Sequence, residues 1–179
     1  ITYLPSDKYP GYDTWVRSGM GIAPNFFDRE ILWLNQTFKL PHDVPIFFYE
    51  CGKTSAYYHP IANGIVICYE LVEDYYSKNY WAYNESAGIG NVNYYTINVV
   101  AYVLQHEVGH ALVDIYDLPI TGMEEDVVDQ FSAYVVAEYS IGTQGQDKIR
   151  SAAFLYEISH TEDELQLSYF ADTHSLSLQ

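Results

Sequence analysis

Basic residues are scarce. Eight Lys and Arg stand against 24 Asp and Glu, a formal charge of −16, so nucleic acid and anionic membrane surfaces would be repelled rather than bound. Long apolar runs are missing as well. No stretch reaches the roughly 18 residues that a bilayer-spanning helix needs, so no membrane span is expected. Repeats, low-complexity tracts and charge blocks that would mark a linker are absent. The opening ITYLPSDKYP has neither a Met nor the basic flank of a signal peptide, and a processed or trimmed start is expected. Cysteine occurs only twice, at Cys51 and Cys68.

What is present is enough apolar material, 49% of 179 residues, for one core but not for two ordinary domains. A single domain over residues 1–179 is expected, with residues 1–24 as an irregular arm rich in Pro and Gly. The spacing of Phe27, Ile31, Leu34 and Phe38 predicts a helix from Asn25 that ends before Pro41. The flanks of the two cysteines, IFFYEC and IVICYE, read as short strands. If those strands pair, a disulfide closing a 17-residue separation could contribute about 3 kcal/mol. Helices are then expected over about 71–83, 94–116, 121–140 and 147–159. The NESAGIGNVN segment reads as a loop, and Thr121-Gly122-Met123-Glu124 reads as a capping box. The fold class is α+β, helix-rich, with a small sheet carrying the cysteines.

The chemistry is concentrated in LQHEVGHALVD, residues 104–114. Residues four apart on a helix share a face one turn apart, so His106 and His110 can aim imidazole nitrogens at one point. Zinc suits that point, held by three protein ligands with its fourth position left to water. Glu107 is placed to take a proton from that water. Buried imidazoles and a carboxylate would be costly in an apolar helix without such a purpose. Gly109, in mid-helix, costs about 1 kcal/mol relative to Ala and suggests close approach of another backbone or a substrate.

The third ligand is expected from the next helix, EEDVVDQFSAYVVAEY. Glu125 is preferred, with Asp126, Glu124 and Asp129 as alternatives. Glu125 and Asp129 share a face, so Asp129 could accept the free N–H of a ligating histidine. The remaining acids would meet the helix dipole. Asp114 lies too far along its helix to share a tetrahedral ion and reads as an acceptor behind the ligands or a solvent-facing group. His174, in Asp172-Thr173-His174, is a candidate to steady an oxyanion. His42 and His59 read as loop residues, and His160 as a helix terminus. The strand IVICY is a candidate edge along which an extended substrate could pair.

HExxH with a glutamate on the following helix resembles the gluzincin arrangement of zinc metallopeptidases. More closely, CG-x3-AYY, IVICYE, HEVGHALVD and EEDVVDQFSAY, in this order, resemble a bacterial metallopeptidase family catalogued as a domain of unknown function, over about residues 25–179. The resemblance implies a zincin-like domain, zinc held by His106, His110 and Glu125, Glu107 as general base, a peptide or protein substrate, and an exported protein, periplasmic or secreted. FADTHSLSLQ matches a family segment that normally continues, so a clipped C-terminus is expected. The alternative to an enzyme is a non-catalytic module that keeps zinc for stability and binds a protein partner through its tyrosines. A fourth protein ligand would favour the module, and an open position in a cleft the enzyme.

Overall fold

The computed structural model describes residues 1–139 and 144–161. Four strands, β1 (Thr2–Tyr3), β2 (Ile46–Tyr49), β3 (Ala56–His59) and β4 (Gly64–Cys68), form one sheet in the order β1-β2-β4-β3. β1 and β4 both run parallel to β2, whereas β3 pairs antiparallel with β4. Six helices accompany them among the described residues: α1 (Tyr12–Arg17), α2 (Phe26–Thr37), α3 (Tyr69–Ala87), α4 (Ile89–Ile115), α5 (Glu124–Tyr139) and α6 (Gln144–Thr161). The protein is α+β and helix-rich, as its sequence leads one to expect. None of these helices is long and apolar enough to cross a membrane.

β4 is flanked by strands on both sides and buried at every residue, which is why GIVIC is continuously apolar instead of alternating. IVICY is therefore not the edge it was expected to be. The edge on that side is β3, a short strand that the sequence does not signal. The supposed arm is also partly regular, since β1 pairs with β2 and Tyr3 stacks on Phe48 with ring centroids 5.1 Å apart. Val16 and Met20, from the same segment, are fully buried in the core.

α4 is the axis of the molecule. Its 27 residues extend about 40 Å and pack against α3, α5, α6, β3 and β4. A helix contacted on so many sides must be apolar nearly all round, and its buried residues run from Val92 to Leu112. The loop expected over NESAGIGNVN shrinks to one residue. Gly88, at φ 77° and ψ 164°, breaks α3 from α4, while Val92 is fully buried and extends α4 ahead of its expected start.

Cys51 and Cys68 form a disulfide with Cα atoms 5.4 Å apart. Behind it lies Glu70, whose carboxylate accepts the N–H groups of Cys51 at 3.0 Å and Gly52 at 2.8 Å. Lys8 Nζ is 3.9 Å away. Burial alone would raise the pKa of Glu70, but those N–H donors, its own N–H and the Lys8 charge together hold it below the usual carboxylate value. A carboxylate with a depressed folded pKa stabilises the fold above its unfolded pKa of about 4.3 and loses that contribution as pH falls through the folded value. Glu70→Gln is accordingly expected to cost about 1–2 kcal/mol at neutral pH. Its melting temperature should converge with that of the native protein as pH is lowered from 5 toward 3, as thermal melts across that range would show.

Candidate metal centre

α4 ends in a Schellman motif. Asp117 takes a left-handed φ of 46°, its N–H donates to the Asp114 carbonyl at 3.2 Å, and the Leu118 N–H donates to the Val113 carbonyl at 3.0 Å. Pro119 then prevents the helix from resuming, and the chain turns back as α5. That helix begins at Glu124, so Thr121 lies outside it and the expected capping box does not form. Glu124 has a different partner.

Gly109 sets how closely α5 approaches. A Cβ at this position would lie 3.0 Å from Val128 Cβ and 3.1 Å from Phe131 Cδ1. The glycine expected to admit a backbone or a substrate instead admits side chains of α5. The close packing brings Glu125 up to the two histidines.

His106 Nε2 and His110 Nε2 are 3.1 Å apart. Glu125 Oε2 is 3.2 Å from the first and 3.4 Å from the second. On the far side of each ring a carboxylate accepts the Nδ1–H, Asp129 Oδ1 for His106 at 2.8 Å and Glu124 Oε1 for His110 at 2.7 Å. Carboxylates only accept, so these bonds fix the protons on Nδ1 and leave both Nε2 lone pairs facing Glu125 Oε2. Three lone-pair atoms at this spacing repel one another unless a cation lies among them. Ligands of tetrahedral zinc at about 2.0–2.1 Å stand about 3.3–3.4 Å apart, so the donor set fits zinc in both chemistry and spacing. Protons relieve the same crowding. Burial lowers the pKa of His106, yet the bond to Asp129 and the charges of Glu107, Asp129 and Glu125 outweigh it and raise the value overall.

Glu107 does not join this triangle. It lines the adjoining cleft and is only 5% exposed. Its Oε2 accepts the main-chain N–H of Tyr58 at 2.8 Å, across from β3. Burial raises its pKa, against the opposing pull of His106, His110 and the Tyr58 N–H. The cleft, about 560 Å³, is bounded by β3 on one side and by the α4–α5 turn on the other, with Tyr57, Pro60, Leu118 and Ile120 as apolar walls. Near the Asp129 carboxylate, burial and that charge push the Tyr102 phenol up to about 12, so it stays protonated.

Of the residues expected at the site, His106, His110 and Glu125 converge, Glu107 adjoins them, and Asp129 stands behind His106. Asp126 belongs neither to the converging group nor to the cleft lining. His174 lies outside the described residues. Glu124 was open as a ligand or a dipole partner, and its hold on His110 was not foreseen. Nor was Tyr58, whose strand carries no sequence signal of its own. A second gathering of potential ligands, Cys51, Cys68 and Glu70, is no metal site as it stands. Its sulfurs are bonded to each other and its carboxylate is taken by N–H donors.

A family model described as "Putative metallopeptidase" (DUF4344) matches residues 20–179, nearly the whole chain. The chain belongs to this family. Membership of a metallopeptidase family implies a metal and a hydrolytic reaction on peptides or proteins. No curated protein and no solved structure matches the chain. Within this family member, the two carboxylates behind the histidines can be tested directly. Asp129→Ala and Glu124→Ala should each weaken metal affinity by about 10–100-fold, measured by competition with a chromogenic chelator. The ion content at saturation should stay the same.

Proposed function

We propose that the protein is a zinc-dependent peptidase in which His106, His110 and Glu125 hold the ion and Glu107 is the general base. The observation that carries this reading is the triangle of two Nε2 atoms and one carboxylate oxygen, with sides of 3.1, 3.2 and 3.4 Å, opening onto a cleft that Glu107 also lines. Among the described residues three side chains converge there, not four. Three ligands and an open side are what a catalytic zinc has, whereas a structural zinc is closed by a fourth. This favours the enzyme over a zinc-stabilised binding module.

Zinc in this position would polarise a peptide carbonyl and acidify a water. The rest falls to the chain. Glu107, with Oε2 fixed by Tyr58, receives the proton that the attacking water loses and passes it to the departing amine. The Tyr58 N–H points away from β4 toward Glu107, and in an antiparallel strand the carbonyls of Ala56 and Tyr58 share that outward side. An extended peptide can pair with this edge and lie across the cleft. His174 is the candidate for steadying the oxyanion. The disulfide fits an oxidising compartment, and we take the protein to be exported.

The test is hydrolysis of a mixed-sequence peptide pool by zinc-loaded protein, before and after chelation and beside Glu107→Gln. Cleavage that disappears with the chelator and returns with zinc supports the reading. Cleavage that is indifferent to both chelator and substitution rejects it.

A further inference from the structure

We infer that Tyr58 is a positioning residue that latches the edge strand β3 onto α4 at two points astride His110, and thereby sets both the width of the cleft and the aim of Glu107. The inference rests on the peptidase reading above, but its geometry stands independently. Tyr58 donates its main-chain N–H to Glu107 Oε2 at 2.8 Å and its phenol O–H to Asp114 Oδ2, also at 2.8 Å. The phenol oxygen is 3.3 Å from Asn63 Oδ1, in the β3–β4 turn. Glu107 and Asp114 are seven positions apart, two helical turns on one face, with His110 between them. One residue of the strand therefore grips the helix over a length of about 10 Å.

The two contacts differ in what they can do. The N–H bond holds one oxygen of Glu107, which also lines the cleft, but a single bond fixes neither the tilt nor the distance of the strand. The phenol supplies the second point. Burial, and then the bond to Asp114, push its pKa up to about 12, so it remains a donor at any working pH. Asp114 also lies at the root of the Schellman turn, its carbonyl accepting the Asp117 N–H. The latch thus ties β3 to the segment that carries the chain back to Glu124 and Glu125. Asp114 is exposed, and an exposed hydrogen bond adds little to global stability. Its loss should be felt as altered cleft geometry rather than as unfolding.

The experiment compares Tyr58→Phe, Asp114→Ala, the double variant and Asp114→Asn, all zinc-loaded. Each of the first two should lower kcat about tenfold, because small misplacements of a reacting group cost that much or more. KM should change less than threefold and zinc content should not change. The double variant should be no worse than the worse single one, and Asp114→Asn, which keeps an acceptor, should recover most of the loss. Amide exchange at Tyr58 should quicken in Tyr58→Phe and Asp114→Ala, while Tyr57 and His59, whose amides face β4 in this register, keep their protection. Additive losses in the double variant, or unchanged exchange at Tyr58, would overturn the latch. If native zinc-loaded protein cleaves no peptide, the peptidase reading fails, and the exchange measurement still decides the latch.

Discussion

Replacing Glu107 by glutamine is expected to lower kcat/KM for peptide hydrolysis by about 10²–10⁴-fold while leaving zinc content at that of the native protein. Glutamine is close in shape to glutamate, and its amide oxygen can still accept the Tyr58 N–H that the carboxylate accepts at 2.8 Å. What it cannot do is take a proton. The substitution therefore removes the base and little else, which separates chemistry from binding. Metal content should hold because Glu107 is not one of the three converging side chains. Glu125→Gln is the informative contrast, since it weakens a metal donor and should lower zinc affinity together with activity. A Glu107→Gln protein that keeps zinc and more than about a tenth of native kcat/KM would remove Glu107 from the role of base.

The arrangement of the candidate site was largely legible in the sequence because local spacing determines most of it. His106 and His110 lie one turn apart on a helix that has to exist, given its apolar length. Glu125 follows after a stretch just long enough for α5 to return antiparallel. What could not be read depends on contacts distant in sequence. β3 has only four residues and ends at a proline, so it carries no alternation to detect, and its place at the sheet edge follows from pairing with β4. β1 is a strand only because Phe47 and Phe48 lie beside it. The Gly and Asn residues around Gly88 signal a loop locally, yet burial of Val92 keeps the chain helical up to a single break. Glu124 fits a capping box by pattern, but His110 Nδ1 claims its carboxylate at 2.7 Å. In each case tertiary packing overrides a local preference.

The second large effect is structural and reaches the site from behind. Lys148→Met is expected to destabilise the protein by about 3–5 kcal/mol, which for a chain of this size lowers the melting temperature by roughly 10 °C. Lys148 of α6 is 2% exposed, and its Nζ is 2.6 Å from Glu30 Oε1 on α2. Gln105 of α4 donates Nε2–H to the other Glu30 oxygen at 3.3 Å, and the Phe26 ring lies 5.6 Å from the ammonium. Three helices therefore meet at one carboxylate, at the residue immediately before His106. Removing the ammonium leaves Glu30, whose side chain is largely but not fully covered, as a charge held by one amide, and that unpaired charge, rather than the lost attraction, is the main cost. The sign of a second substitution distinguishes this account from simple loss of packing. Lys148→Met combined with Glu30→Gln discards the stranded charge and should recover most of the stability, whereas a packing defect would persist or deepen. Thermal melts of the two single variants and the double decide between them. Zinc affinity measured alongside would report whether the α4 segment carrying His106 depends on this junction for its position.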